Sequence, residues 1–194
     1  MRVIAGQFRG RALVSVGKGD PGAHLRPTTD RVRESLFNML AGGRFGDPFD
    51  GTRVLDLFAG TGALGIEALS RGAAHVTFAD DGRKAQALIR RNIALLAATG
   101  QTRLLACDAT RLPMADAPCD LLFLDPPYGK GLGARALASA RAGGWIADGA
   151  LIVWEESAPQ AAPAGFDLLE ARRYGDTHVT VLEYSAPPSD DLGG

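Results

Sequence analysis

The stretch Val54–Gly65, which reads V-L-D-L-F-A-G-T-G-A-L-G, decides how this sequence folds. It begins as an apolar strand over Val54–Phe58, passes through a glycine-rich turn and continues as a helix over Leu64–Leu69. The turn contains the pattern G-x-G-x-x-G, whose glycines let the backbone turn sharply and approach a ligand at the carboxyl edge of a sheet. Alone, this pattern suits NAD as well as S-adenosylmethionine, so it predicts a nucleotide-binding type of fold without choosing the ligand.

The alternation of strand and helix continues toward the C-terminus. Short apolar runs bounded by turn residues predict strands, and longer runs with helical spacing predict helices. The predicted strands are Val76–Asp80, Arg103–Ala106, Asp120–Leu124 and Ala150–Trp154, and the predicted helices are Ala85–Ala98 and Gly133–Ala140. This order predicts an α/β fold with a parallel, doubly wound sheet and helices on both of its faces.

The C-terminal end departs from this alternation. Phe166–Tyr174 and Thr177–Tyr184 flank Gly175-Asp176 and leave no room for a crossover helix. We therefore expect these two segments to pair as an antiparallel hairpin at the edge of the sheet. The complete prediction is a Rossmann-like fold with a seven-stranded, mostly parallel sheet and one antiparallel edge hairpin.

The N-terminal region follows a different pattern from the rest of the chain. Arg2–Val16 alternates apolar and polar residues around glycines, which predicts a short hairpin. Thr28-Thr29-Asp30 offers N-cap residues for a helix that Gly42-Gly43 ends. We expect residues 1–50 to form an appendage and residues 51–185 one catalytic domain. Residues 186–194 are rich in Pro, Ser, Asp and Gly, which predicts a disordered tail.

Length and composition limit the class of protein. With 194 residues, 46% of them hydrophobic, the chain is long enough to bury one sizeable core. No stretch approaches the ~18 apolar residues of a membrane span, and the first residues lack the apolar part of a signal peptide, so we expect a soluble, cytoplasmic protein. Cys107 and Cys119 form no C-x-x-C pair and three His accompany them. We therefore expect neither a disulfide framework nor a metal site.

The net charge of −1 conceals an uneven distribution. Residues 1–33 hold seven cations against Asp20 and Asp30, which gives +5 there and leaves −6 for the remainder. The seven cations are Arg2, Arg9, Arg11, Lys18, Arg26, Arg31 and Arg33. Such segregation predicts an anionic partner at the N-terminal region, and a solvated charged face is the alternative.

Three aspartates lie within or directly after predicted strands. Asp56 stands inside an apolar strand, where a carboxylate costs free energy unless it is hydrogen-bonded, so we expect it to order the glycine turn and to help hold a methionine amino group. Asp80 follows Gly62 by eighteen residues, about the interval at which a carboxylate binds ribose hydroxyls. Asp108 is placed to accept a hydrogen bond from an adenine amine, and a cap on the turn at Ala109-Thr110 is the alternative.

The backbone of the glycine-rich turn completes the candidate cofactor site. Glycine has no side chain to keep a ligand away from the main chain. A ligand at the carboxyl edge of the sheet can therefore come closest to the backbone at this turn. The candidate cofactor-binding residues of the turn are Phe58, Ala59, Gly60, Thr61 and Gly62.

The four residues Asp125-Pro126-Pro127-Tyr128 follow directly after an apolar strand. The two prolines fix φ and remove two N–H donors, so the chain leaves the sheet rigidly with its carbonyls directed outward. The Asp125 carboxylate and the Pro126 carbonyl can together accept from both N–H groups of an exocyclic base amine. Tyr128 can stack on the base. This arrangement suits methyl transfer to a planar, poorly nucleophilic amine, and a rigid strand exit is the alternative.

These motifs resemble a known class of enzyme. The glycine turn and the D-P-P-Y sequence are similar to the two signature motifs of class I amino-methyltransferases, in which [D/N/S]-P-P-[Y/F] marks methylation of base or glutamine amide nitrogens. Arg2–Arg11, R-V-I-A-G-Q-F-R-G-R, and Leu25–Asn38, L-R-P-T-T-D-R-V-R-E-S-L-F-N, resemble the bacterial 16S rRNA (guanine-N2)-methyltransferase family of the guanine 966 type. The resemblance extends through Asn92, Gly144-Trp145-Ile146 and Tyr174–Thr177, and so covers nearly the whole chain.

The resemblance implies the fold and the reaction. It implies a class I methyltransferase fold, S-adenosyl-L-methionine as cofactor, and methylation of one guanine amine in 16S rRNA, within an assembled small ribosomal subunit. Phe8 stands where similar sequences often have Trp, and it keeps an apolar stacking face. Gly82 stands where an acid is common, which leaves Asp80 as the candidate for the ribose contact.

Two further expectations concern the partner and the rivals. We expect a monomer that binds rRNA phosphates through Arg9, Arg11, Arg26, Arg31 and Arg33, although Arg26 and Arg33 could instead brace the appendage. A DNA adenine-N6 methyltransferase would use the same four-residue motif, but the appendage is small for reading a duplex sequence. An NAD-dependent oxidoreductase would use the glycine turn but would leave D-P-P-Y without a role.

Overall fold

The computed structural model describes residues 1–15 and 30–187. Its elements alternate between helix and strand up to the last three strands, which follow one another directly, except that only a short 3-10 turn, Ala109–Arg111, separates β3 from β4. The helices are α1 (Asp30–Leu40), α2 (Ala63–Ser70), α3 (Arg83–Leu95) and α4 (Leu132–Ala142). The strands are β1 (Arg53–Leu57), β2 (His75–Ala79), β3 (Thr102–Leu105), β4 (Cys119–Leu124), β5 (Ile146–Glu156), β6 (Phe166–Tyr174) and β7 (Thr177–Tyr184).

The seven strands form one sheet in the order β3-β2-β1-β4-β5-β7-β6. Strands β1 to β5 run parallel, β7 pairs antiparallel with β5, and β6 pairs antiparallel with β7 at the edge. The predicted fold class, with its antiparallel edge hairpin, is therefore confirmed. The strand order reverses between β1 and β4, and in open α/β sheets such a reversal leaves a crevice at the carboxyl ends of the strands.

Two apolar cores cover the two faces of the sheet. One core contains side chains of α1, α2 and α3, and the other contains side chains of α4. Helix α3 shows why these residues form a helix, because its buried positions Ala85, Ile89, Asn92 and Ile93 follow the 3.6-residue period. Helix α1 joins the first core through Phe37, whose ring centroid lies 5.6 Å from that of Phe123 on β4.

The N-terminal segment, residues 1–15, differs in detail from the predicted hairpin. Its two arms pair antiparallel around one bridge between Arg2 and Ala12, with three backbone hydrogen bonds between the arms, rather than as regular strands. The pairing between the arms is short because backbone N–H groups at the tip of the segment donate to α2 instead. Gln7 N–H donates to the Ser70 carbonyl at 2.8 Å, and Phe8 N–H donates to the Ser70 hydroxyl at 2.9 Å.

The observed bounds of the elements differ most from the predicted ones where pairing with neighbouring strands determines them. The predicted strand Ala150–Trp154 extends to Ile146–Glu156 because β5 pairs with β4 on one side and β7 on the other. Most of the predicted tail lies outside the described residues, as do Val16 and Thr28-Thr29. Among the described residues, no helix is both long and apolar enough to cross a membrane.

Candidate active site

The strand register brings the predicted motifs together at the carboxyl edge of the sheet. Leu57 of β1 aligns with Ala79 of β2 on one side and with Leu124 of β4 on the other. The residues that follow are therefore level with Phe58: Asp80 on one side and Asp125 on the other. Since neighbouring strands lie about 4.8 Å apart, both carboxylates flank the glycine turn at short range.

The turn itself adopts the conformation that its glycines permit. Gly60 has φ 58° and Gly62 has φ 77°, both in the left-handed region that favours glycine. Phe58 also has a positive φ of 59°, which a residue with a Cβ atom adopts rarely and mostly where function or surrounding structure imposes it. The turn is thus a strained backbone that glycines make possible, in the crevice where a nucleotide ligand would bind.

Gly65, the third glycine of the pattern, has a separate packing role that the sequence analysis did not assign to the site. A Cβ atom at Gly65 would lie 2.6 Å from the Phe78 ring and 2.7 Å from the Val76 side chain of β2. Helix α2 can therefore lie against the sheet only with glycine here. The G-x-G-x-x-G pattern could have predicted this role, because its third glycine allows the helix to pack closely against the strand.

Asp56 lies beneath the turn. Its side chain is 1% exposed, and its Oδ2 accepts a hydrogen bond of 2.9 Å from Gly65 N–H in the first turn of α2. Burial raises the pKa of Asp56 well above its ordinary value, against the Gly65 hydrogen bond, with Asp125 and Asp80 adding repulsion. Asp56 therefore fixes the start of α2 rather than the turn itself.

Asp80 is the carboxylate that holds the turn. Its Oδ2 accepts from Gly60 N–H at 2.9 Å, and its Oδ1 accepts from Gly82 N–H at 2.8 Å. Burial raises the pKa of Asp80, and these two hydrogen bonds oppose the rise. Each carboxylate oxygen can accept more than one hydrogen bond, so Asp80 can order the turn and still accept from a ligand hydroxyl.

Asp108 adopts the capping role that the sequence left open. Its Oδ1 accepts from both the backbone N–H and the hydroxyl of Thr110, each at 2.8 Å. These hydrogen bonds lower the pKa of Asp108 and keep it ionised. Oδ2 is the oxygen that can accept from a ligand, so the cap and the adenine contact are compatible with each other.

The D-P-P-Y loop leaves β4 beside the turn. Asp125 is half-buried, Pro126 is buried, and Pro127 and Tyr128 are half-buried. Asp125 N–H reaches the Leu57 carbonyl of β1 at 3.5 Å, so the loop starts as an extension of the central parallel pair. The structure therefore brings the predicted reactive residues and the predicted cofactor residues to the same edge of the sheet.

Two residues outside the predicted motifs, Thr177 and Glu156, hold this loop in place. The Tyr128 hydroxyl lies 3.1 Å from the Thr177 hydroxyl at the start of β7. Gly129 N–H donates to the Glu156 carboxylate at the end of β5, with 3.1 Å to Oε1. Glu156 also accepts from Ser157 N–H at 2.7 Å. Both anchors depend on the pairing of β5 with β7, which no local sequence pattern reveals.

Asn92 ties the N-terminal segment to the cofactor turn. This fully buried amide accepts from Val14 N–H at 2.7 Å and donates to the Val14 carbonyl at 3.1 Å. Its Nδ2 also donates to the Thr61 carbonyl of the turn at 2.9 Å. One side chain therefore holds both the basic segment and the candidate cofactor site.

The predicted RNA-binding arginines separate into groups. Arg9, Arg11 and Arg31 are exposed. Arg33 is 1% exposed and donates to the Arg2 carbonyl, so from this position it cannot reach a phosphate. The prediction of a phosphate contact at Arg33 is therefore wrong, and its alternative role as a brace is the one observed. Arg26 lies outside the described residues.

The comparisons with known proteins agree with this geometry. A family model described as Conserved hypothetical protein 95 matches residues 1–183. The Escherichia coli (strain K12) protein named Ribosomal RNA small subunit methyltransferase D is 37% identical over 195 residues, which cover 98% of this chain and 93% of that protein. The Bacillus subtilis (strain 168) protein YlbH is 46% identical over 132 residues, 66% of this chain and 67% of its own.

Solved structures give the same result. The structure of the Escherichia coli protein yhhF superimposes with a TM-score of 0.80 at 36% sequence identity, covering 96% of this chain and 99% of that one. Fold, motifs and sequence similarity thus coincide over almost the entire length. The chain belongs to the Conserved hypothetical protein 95 family and has the class I methyltransferase fold.

Proposed function

We propose that this protein transfers a methyl group from S-adenosylmethionine to the N2 amine of one guanine in 16S rRNA, the guanine 966 type, in the cytoplasm. The observation that carries the proposal is the strand register, which sets Asp80 and the D-P-P-Y loop on the two sides of Phe58, the residue from which the glycine turn begins. The similarity to a small-subunit rRNA methyltransferase over 98% of the chain supports the choice of rRNA as substrate.

The residues of the crevice fit S-adenosylmethionine. The left-handed backbone at Gly60 and Gly62 lets a ligand approach the main chain closely. Asp80 would accept from the ribose hydroxyls, Asp108 from the adenine amine and the Asp56 carboxyl group from the methionine amino group. When bound, the cofactor supplies an electrophilic sulfonium methyl group.

The D-P-P-Y loop would hold the amine that accepts the methyl group. The Asp125 carboxylate and the Pro126 carbonyl accept the two N–H groups and keep the nitrogen aimed at the methyl carbon. The negative charge of Asp125 favours the positive charge that develops on the nitrogen. Tyr128 stacks on the base, and base–aromatic stacking contributes about 1–3 kcal/mol, comparable with the few kcal/mol that extruding a base costs. No general base is required, because the methylated amine can lose a proton to water.

The substrate form and the oligomeric state complete the proposal. We propose that the chain acts as a monomer on an assembled small subunit, with exposed Arg9, Arg11 and Arg31 on rRNA phosphates. Residues 1–50 form the appendage that presents these arginines to the RNA, and residues 51–185 form the catalytic domain.

Substitutions at Asp125 test the chemistry. Asp125→Ala should lower the single-turnover rate of methyl transfer by orders of magnitude, because it removes both an acceptor and a charge. Asp125→Asn should restore part of the rate, since the amide oxygen still accepts from the amine. The control is the Kd for S-adenosylmethionine, which should stay near the wild-type value in both variants. A wild-type rate for Asp125→Ala would leave Asp125 as a strand-exit residue.

A further inference from the structure

The outward face of α3 is strongly basic. The helix carries four cations, Arg83, Lys84, Arg90 and Arg91, and no acidic residue. All four are exposed, while the opposite face of the helix is buried against the sheet. The total charge conceals this face, because residues 34–194 as a whole carry a net charge of −6.

Helix stability does not explain these cations. Arg83 and Lys84 stand in the first turn, where the helix dipole disfavours positive charge. The positions four residues before and after Arg90 and Arg91 hold no acid, so the stabilising i,i+4 pairs of surface helices are missing. Within residues 1–15 and 30–187, neither Arg90 nor Arg91 forms an ion pair. Such a face is suited to binding an anionic partner molecule.

The N-terminal segment contacts α3 at Asn92, on the buried side of the helix. Asn92, the neighbour of Arg91, holds Val14 through two hydrogen bonds of 2.7 and 3.1 Å. Arg11 lies three residues before Val14, and three residues span at most about 11 Å of extended chain. Arg11 therefore lies close to α3, and neither residues 1–15 nor α3 contains an acidic residue.

We infer that the outward face of α3 is part of the rRNA-binding surface, with Arg90 and Arg91 contacting the phosphate backbone beside the segment that carries Arg9 and Arg11. This inference rests on the proposed function and adds a second element to its substrate contact. A protein of net charge −1 must attract a polyanion through such local patches, and two neighbouring basic elements offer more phosphate contacts than one. Asn92 then has a further role, because it keeps the two parts of the surface in register with the cofactor turn.

The test is the salt dependence of binding to small ribosomal subunits by the full chain. Each phosphate contact contributes roughly 0.7–0.9 to the slope of log K against log salt concentration, so Arg90→Ala/Arg91→Ala should reduce the slope by roughly 1.4–1.8. The matched control is Arg103→Ala/Arg141→Ala, which removes the same charge from β3 and from the C-terminal end of α4. Arg103 is paired with Asp116, and Arg141 donates to the Ala164 carbonyl.

The inference predicts a reduced slope for the α3 variant only, with unchanged melting temperature and unchanged S-adenosylmethionine affinity. An unchanged slope for the α3 variant, together with a reduced slope for Arg9→Ala/Arg11→Ala, would overturn the inference and leave the proposed function intact. Equal reductions in the α3 and control variants would also overturn it, since total charge alone would then explain binding. Failure of the wild-type chain to bind or methylate small subunits would instead contradict the proposed function.

Discussion

Asp56 is a buried carboxyl group whose ionised form lowers the stability of the fold. Its carboxyl group is 1% exposed, and its hydrogen bond to Gly65 N–H compensates only part of the cost of burial. Burial raises the pKa of Asp56 well above the ordinary value of 3.8. Because the folded carboxyl group binds its proton more tightly than the unfolded one, its contribution favours folding below pH 3.8 and is lost as pH rises through the raised pKa.

We therefore expect Asp56→Asn to raise the melting temperature at pH 8, by about 2–4 °C for each kcal/mol that the buried charge costs. The amide oxygen still accepts from Gly65 N–H, so the start of α2 keeps its hydrogen bond. The gain should shrink as pH falls toward 4, and S-adenosylmethionine affinity should drop. Melting curves across this pH range check the expectation; a loss of stability that is equal at every pH would contradict it.

Tyr128 and Thr177 form a pair whose effect on the reaction can be measured. Tyr128→Phe and Thr177→Val each remove one partner of the 3.1 Å hydrogen bond that orients the Tyr128 ring. Each variant should lower kcat by about 3- to 10-fold, as expected for one neutral hydrogen bond of about 0.5–1.5 kcal/mol. The double variant should lose no more than either single one, with S-adenosylmethionine affinity unchanged. A loss equal to the product of the two single losses would show that the residues act independently.

The residues of the site differ in how far the sequence could predict them. Asp56, Asp80 and Asp125 follow from their places in or after strands, because parallel strands bring their carboxyl ends to one edge. Thr177 lies 49 residues from Tyr128 in the chain, and its contact depends on how β5 pairs with β7. Arg33 was misjudged because a charge in an amphipathic helix predicts exposure, whereas its guanidinium reaches inward to a backbone carbonyl.

The N-terminal segment and α2 form one unit at the scale of elements. Glu67 of α2 accepts from the N–H groups of Ile4 at 2.8 Å and Ala5 at 3.0 Å, and it also pairs with Arg71 at 2.9 Å. The segment therefore buries α2 on the side that the sheet does not cover, which explains why seven of its eight residues are buried. Helix α2 supplies polar partners for a segment that has few of its own.

Two glycines of the segment provide a matched test of this docking. Gly6 and Gly10 have nearly equal φ values of 78° and 79°, so alanine meets the same backbone strain at both. A Cβ atom at Gly6 would lie 1.7 Å from the Ser70 carbonyl oxygen, whereas nothing lies within 4 Å of one at Gly10. Gly6→Ala should therefore be about 1–3 kcal/mol less stable than Gly10→Ala, the usual cost of overpacking. Equal melting temperatures would show that the segment does not dock as described.

Helices and strands were predictable from the sequence where apolar residues recur with a regular period. Their bounds were less predictable where contacts with distant residues determine them. The helices and the edge hairpin follow from hydrophobic spacing and from the missing crossover. The length of β5 depends on having a partner on each side, and the N-terminal arms shorten their pairing because Glu67 and Ser70 compete for their donors. Such competition between distant groups leaves no trace in a local pattern.

The whole molecule has a net charge of only −1, but its charges are unevenly distributed. The seven cations of residues 1–15 and α3 stand in stretches without an acid, while the acids Asp56, Asp80 and Asp125 gather at the crevice. The resemblance to the rRNA methyltransferase family that the sequence suggested is confirmed by the family model over residues 1–183 together with the relative named Ribosomal RNA small subunit methyltransferase D, which is 37% identical. This distribution of charge suits an enzyme whose basic surface binds RNA phosphates and whose acidic site binds a neutral base.

The central claim is methylation of guanine N2 in small-subunit rRNA, and analysis of the methylated product tests it most directly. Small subunits that lack this methyl group would be incubated with the protein and S-adenosylmethionine carrying a tritiated methyl group, and the 16S rRNA digested to nucleosides and mapped by mass. We predict one N2-methylguanosine per subunit, at a single position. Methyl transfer to adenine N6 in DNA, or none to rRNA by a chain that binds the cofactor, would contradict the account.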